Sequence, residues 1–181
     1  MGGHITRYDQ MPIPPIESQT EYVDAGSVTF GVEYRLLDDA IAAASEIEGA
    51  EGGEGGVVLE DRGVSLHVFA TAAEGEEPLE YLRFDCFDED PHYHYVSWSE
   101  KSNEMIHIDP VADGDPLTWA LERIRSRLVP MLERAGAFGV AARVDPRRVE
   151  EALPKVSEAA WRARYHHDEE AVRSDAMAGK S

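Results

Sequence analysis

The chain has 181 residues, enough for one domain, and carries a net charge of -19 from 17 Lys+Arg against 36 Asp+Glu. That charge disfavours nucleic acid and anionic membrane surfaces as partners, because both are held by cations that neutralise phosphates. One cysteine permits no internal disulfide, no apolar run approaches the roughly 18 residues of a bilayer span, and no signal-peptide core follows Met1, so a cytoplasmic protein is expected.

Residues 1–27 read as an extended, proline-rich arm. In Met11-Pro12-Ile13-Pro14-Pro15-Ile16 the prolines fix φ and remove N–H donors, which excludes helix and central strand. Tyr8, Met11, Ile13, Ile16 and Tyr22 make the arm too apolar for a free tail. Residues 8–22 are therefore expected in a groove of the domain or of another chain, with Ile13 and Ile16 buried. A single folded domain is expected over 28–165. It opens with a strand, Val28–Leu36, in which Gly31 is a candidate bulge. A short helix over Leu37–Glu48 follows, with Leu37, Ala40, Ile41, Ala44 and Ile47 at helical spacing, and then a glycine-rich loop, Gly49–Gly56.

From Val57 the period changes to two. The runs Val57–Glu60, Val64–Ala72, Leu79–Phe87, His92–Trp98 and Asn103–Asp109 are separated by short polar turns, the pattern of an antiparallel β-meander of about five to six strands. Helical spacing then takes over. Asp115 is an N-cap with Pro116 at the first helical position, Leu117 to Ala135 carry an apolar stripe, and Gly136 supplies the stop. Pro130 is expected to kink this helix. Asp145-Pro146 starts a second helix through Tyr165, which Pro154 is expected to split. Residues 166–181 read as a flexible tail. The fold class is α+β: an antiparallel sheet with helices packed on one face.

Hairpin arithmetic gathers the candidate functional residues. Four-residue loops at Asp88–Pro91 and Ser99–Ser102 would set Asp85 opposite His94, His94 opposite His107, and His92 opposite Asp109. Side-chain alternation then gives one face to Arg83, Asp85, His92, His94, His107 and Asp109. The other face takes Leu82, Phe84, Cys86, Tyr93, Tyr95, Ile106 and Ile108, and is the one helices would cover.

Three readings of the polar face stand. His92, His94 and His107 with Asp109 or Asp85 have the donor types of a zinc, iron or nickel site. Alternatively, the histidines are acid–base or hydrogen-bonding groups around an organic ligand, with Asp85 or Asp109 fixing their tautomers and Arg83 pairing with a carboxylate or phosphate of that ligand. The third reading is a solvated sheet surface of cross-strand His–Asp pairs, each worth about 0.2–1 kcal/mol. A six-residue loop at Ala73–Pro78 would set His67 opposite Phe84, as a half-buried sheet residue, and Cys86 reads as inert packing. No glycine-rich phosphate loop opens a helix, and no nucleophile elbow is present.

Two function classes follow. One is a small acidic accessory or assembly subunit that docks on a larger protein or on its own copy, supported by the arm and the charge. The other is a small metal- or ligand-dependent enzyme using the histidine face. The first is preferred at this level, since no complete catalytic motif is present.

Overall fold

Alternating side chains in the middle of the chain pair into an antiparallel sheet ordered β1-β7-β6-β5-β4-β3-β2. The strands are β1 (Ile5–Tyr8), β2 (Glu21–Asp24), β3 (Thr29–Leu37), β4 (Asp61–Ala70), β5 (Leu79–Phe87), β6 (His92–Ser97) and β7 (Ser102–His107). The computed structural model describes residues 5–37, 60–73 and 75–178. Leu37 ends β3; the rest of the expected Leu37–Glu48 helix, the Gly49–Gly56 loop and all but Glu60 of the Val57–Glu60 strand lie outside the described residues. Among the described residues the sheet has seven strands, more than the meander alone supplies, because the arm adds both edges. β3 and β7 would otherwise leave a row of backbone donors and acceptors unpaired. The proline-free stretches Ile5–Tyr8 and Glu21–Asp24 satisfy them, against β7 and β3 respectively.

Five α-helices are present among the described residues, besides a 3-10 turn at Glu17–Gln19: α1 (Pro110–Asp113), α2 (Pro116–Arg134), α3 (Phe138–Ala141), α4 (Pro146–Tyr165) and α5 (Glu169–Ala178). Asp115 accepts from Thr118 N and Asp145 from Arg147 N, so both long helices start on carboxylate caps. Neither Pro130 nor Pro154 ends its helix. Pro154 is exposed while Leu153 and Val156 on either side of it are buried, so burial of the apolar stripe holds the two halves in one helix. α2 packs on β5 and β6, and α4 on β2, β3 and β4. Phe30, Leu66, Leu82 and Phe84 from the sheet meet Leu117, Ile124, Leu132 and Val156 in the resulting core.

The segment expected to fray instead carries α5. Asp168 accepts from the backbone N–H groups of Glu170 and Ala171, capping the helix, and Val172 is buried. His167 stacks on Tyr34 with ring centroids 3.5 Å apart, and Arg62 pairs with Glu169 at 3.0 Å.

The strand registers differ from the hairpin arithmetic in two ways. Asp85 pairs with His92 and Arg83 with His94, while His92 pairs with His107 and His94 with Met105. Both hairpins are thus displaced by two residues, in the second case because the loop is Trp98–Lys101, with Ser97 paired to Ser102. An even displacement keeps every side chain on its face. Between β4 and β5 the displacement is odd, and His67 pairs with Arg83 rather than Phe84. The β4–β5 loop is longer than expected, with Ala70 paired to Leu79. Gly63 also allows close pairing at the far end, where a Cβ would lie 2.5 Å from the Cys86 carbonyl oxygen. Tyr81 is the extra residue of a bulge, since Val68 pairs with Leu82 but Phe69 with Glu80. Glu80 consequently shares the face of Arg83, three residues on.

Between β1 and β2 the arm crosses the polar face of its own sheet. Gln10 O accepts from Asn103 Nδ2 at 2.8 Å, Ile13 O from Arg83 Nη2 at 2.5 Å, and Ile16 N donates to Glu33 Oε2 at 3.0 Å. Ile13 and Ile16 are half-buried rather than buried, because the crossing chain has sheet on one side only.

Candidate metal centre

The crossing segment roofs a buried layer of charge. Glu33, His67, Glu80, Arg83 and Asp85 are each at most 6% exposed. Burial of ions this deep demands partners. His67 Nδ1 faces Glu80 Oε1 at 2.5 Å and its Nε2 faces Glu33 Oε1 at 3.2 Å, so the ring has a carboxylate at each nitrogen. Burial opposes its charged form, but the two carboxylates outweigh burial and raise the His67 pKa. Arg83 donates through Nε and Nη2 to Glu80, at 2.9 and 2.7 Å, and Arg35 pairs with Glu33 at 3.3 Å. Against the penalty of burial, Arg83 and His67 hold the Glu80 carboxyl down to about 2, and Arg35 and His67 lower Glu33. Glu33, Glu80 and Asp85 face the cations Arg35 and Arg83 and the His67 ring, whose charged form the flanking carboxylates favour.

Beside this network, adjacent strands bring Asp85, His92 and His94 together, with one potential ligand atom from each all within 4.8 Å. Ser65 Oγ donates to Asp85 Oδ1, which leaves Oδ2 for the histidines. His92 Nε2 lies 3.3 Å and His94 Nε2 3.2 Å from Asp85 Oδ2. The opposite nitrogens are already engaged: His92 Nδ1 with Asp90 O at 2.7 Å, and His94 Nδ1 with Asn103 Oδ1 at 2.9 Å. Asn103 Nδ2 donates to Gln10 O, which orients the amide so that its oxygen faces His94. Both Nδ1 atoms meet acceptors and carry the ring proton. A neutral ring with its proton on Nδ1 turns the Nε2 lone pair to Asp85 Oδ2, whereas a protonated ring donates to that oxygen from Nε2–H.

Burial favours ionisation of neither imidazole. His94 is lowered by burial, which its Asp85 hydrogen bond does not offset. For His92 burial is outweighed by the hydrogen bond and charge of Asp85, and its pKa is raised. Asp85, despite burial, stays well below the usual carboxylate range through hydrogen bonds from both histidines and the nearby charges of His92 and Arg83.

Of the residues singled out from sequence, Asp85, His92 and His94 converge. His107 shares their face but turns Nδ1 to Asp90 Oδ1 at 2.6 Å, and its ring centroid is 6.3 Å from that of His92. Asp109 does not lie opposite His92, because β7 ends at His107; its carboxylate caps α1, accepting from Val111 N and Ala112 N. Arg83 is on the expected face with its guanidinium engaged by Glu80 and Ile13 O. Sequence reading missed Glu33, Ser65, His67, Glu80 and Asn103. For Glu33, Ser65, His67 and Asn103 the signal was present as alternation within the strand, although the odd β4–β5 register set Ser65 and His67 on the other face; for Glu80 the bulge concealed it.

Residues 22–160 match a family model described as Domain of unknown function (DUF7700). All the residues of the buried charge layer and of the cluster fall inside the matched segment, and the crossing segment precedes it. No curated protein and no solved structure matches the chain. With 139 of its 181 residues covered by that model, the chain belongs to the DUF7700 domain family.

Proposed function

We propose that Asp85, His92 and His94 hold a divalent transition-metal ion and that the protein is a small metal-dependent enzyme working at that centre. The supporting observation is the convergence of the His92 and His94 Nε2 atoms on Asp85 Oδ2 at 3.3 and 3.2 Å. Donors 2.0–2.2 Å from one ion, at angles between octahedral and tetrahedral, stand about 3.0–3.4 Å apart, and charge-assisted hydrogen bonds are shorter, about 2.7–2.9 Å. Imidazole and carboxylate donors suit iron, zinc or nickel. Two histidines and one carboxylate leave coordination positions open, as in catalytic rather than structural sites. The Asp90 and Asn103 oxygens supply the outer hydrogen bonds that fix ligating histidines.

The accessory-subunit reading draws less support. Its main argument was the apolar arm, and the arm's strands and carbonyl groups are engaged with its own sheet.

Metal analysis after reconstitution with iron(II) under anaerobic conditions, zinc or nickel tests the proposal. One equivalent of one of these metals is expected on the full chain. Asp85→Asn and the double change His92→Ala/His94→Ala should lose it while far-UV circular dichroism is retained. Failure of the wild-type chain to take up stoichiometric metal, or uptake unchanged in folded variants, overturns it.

A further inference from the structure

Asn103 touches both the cluster and the crossing segment. Its Oδ1 accepts from His94 Nδ1 at 2.9 Å and its Nδ2 donates to Gln10 O at 2.8 Å. It is 3% exposed, so water offers neither half of the amide an easy substitute partner. The two bonds are also geometrically dependent, because a planar amide that aims its NH2 at Gln10 must aim its oxygen at His94.

The cluster lies under cover. The side chains of Asp85, His92 and His94 are 5%, 12% and 10% exposed. The crossing segment bonds to the same polar face at Asn103, Arg83 and Glu33, and its far end is clasped by α5, where Asp175 accepts from Ser18 and Gln19.

We infer that Asn103 is a positioning residue that links metal occupancy of the Asp85–His92–His94 centre to docking of the crossing segment, residues 9–20. The inference rests on the metal reading above. A seated Gln10 carbonyl holds the Asn103 amide in the orientation that keeps the proton on His94 Nδ1 and the lone pair on Nε2. A metal ion on Nε2 fixes the same ring and hence the same amide. Each event thus stabilises the other, and linkage makes the effect reciprocal. Release of the segment is then both the route by which the centre is reached and the step that weakens its hold on the metal.

Two substitutions separate the halves of the amide. Asn103→Asp keeps an acceptor for His94 Nδ1 but cannot donate to Gln10; Asn103→Ala removes both bonds. The readouts are zinc affinity by competition with a chromophoric chelator, and hydrogen–deuterium exchange of peptides spanning residues 5–20 with and without zinc. In the wild-type chain zinc should slow exchange across 5–20. Asn103→Ala should weaken zinc by about 10–100-fold, the usual effect of removing an outer partner of a ligating histidine. Asn103→Asp should hold zinc within a few-fold of wild type yet lose the zinc-dependent slowing. Normal zinc binding with exchange over 5–20 unchanged by zinc overturns the linkage alone, as does full zinc-dependent slowing in Asn103→Asp. If the wild-type chain binds no zinc, iron(II) or nickel, the metal reading falls and the linkage with it. Should Asn103→Asp fail to fold, Asn103→Ser, a shorter neutral residue, is expected to lose both effects, and retention of either overturns the assignment.

Discussion

One face of the sheet is covered by two long helices through Ile124, Leu132 and Val156; the other is covered by residues 9–20 over a layer of ion pairs and histidines. The helix-covered face needs only apolar side chains of roughly the right volume, since the hydrophobic effect is non-directional. The arm-covered face needs each donor matched to a stated acceptor, because one missing partner strands a buried charge. Interchange of similar residues should therefore cost less on the first face than on the second. Chemistry that depends on directed lone pairs belongs to the second.

The largest effect should come from breaking the polar face. Glu80→Ala removes the shared partner of His67 and Arg83, both almost fully buried, and should cost about 3–5 kcal/mol in urea unfolding. Breaking the apolar face at Ile124, fully buried in α2, should cost slightly less, about 2–5 kcal/mol for Ile124→Ala, and leave metal stoichiometry unchanged. Equal loss of metal in both variants would show that the two faces do not act separately.

The pH dependence sharpens the contrast further, with the chain kept metal-free by chelator. Glu80, lowered from 4.5 to about 2, gives stability that is complete above pH 4.5 and fades as pH falls towards 2, on the order of 3 kcal/mol for this one group. Glu33 acts in the same sense. His67 acts oppositely: its pKa is raised from 6.5, so its contribution is complete below that value and is lost as pH rises through the folded-state pKa. Urea midpoints measured from pH 2 to 9 should fall at both ends, and His67→Gln should flatten the alkaline limb and reduce, without abolishing, the acid limb, since Arg83 and Arg35 still hold Glu80 and Glu33 down. An alkaline limb that survives His67→Gln would assign it to another group.

How much of this was readable in the sequence follows from the same contrast. The helices were marked by their caps at Asp115 and Asp145 and by apolar spacing, and the face of Leu82 and Phe84 by alternation, because burial of oily residues repeats with the local period. Asp85, His92 and His94 were placed on one face correctly although both of their hairpin registers were displaced, since an even displacement preserves parity. Glu80 was not recoverable, because a single extra residue, Tyr81, reverses which face it takes and nothing local marks it. His67 alternates with Val64, Leu66 and Val68 as Ser65 does, and only the odd register against β5 set it on the other face. Asp109 was misplaced because an aspartate two residues beyond a strand end serves equally well as a ligand or as a helix cap, and Pro110 made it a cap. The tail was misread because Asp168, the cap of α5, lies in an otherwise polar run whose buried contact is Val172.

The edge pairing of β1 with β7 has a consequence for the order in which the molecule assembles. Ile5 pairs with Ile106, whereas β5, β6 and β7 join through tight hairpins. Closing so long a loop carries an entropic cost that the hairpins avoid, and strand pairs of high sequence separation form slowly. In chain order β1 thus has no partner until β7, the last strand of this sheet, has been made. Its docking, and the crossing of the chain behind it, should be among the last events of folding. The layer of charge would then form while still open to water and be sealed afterwards, so that ions enter their final pairs before they lose their hydration.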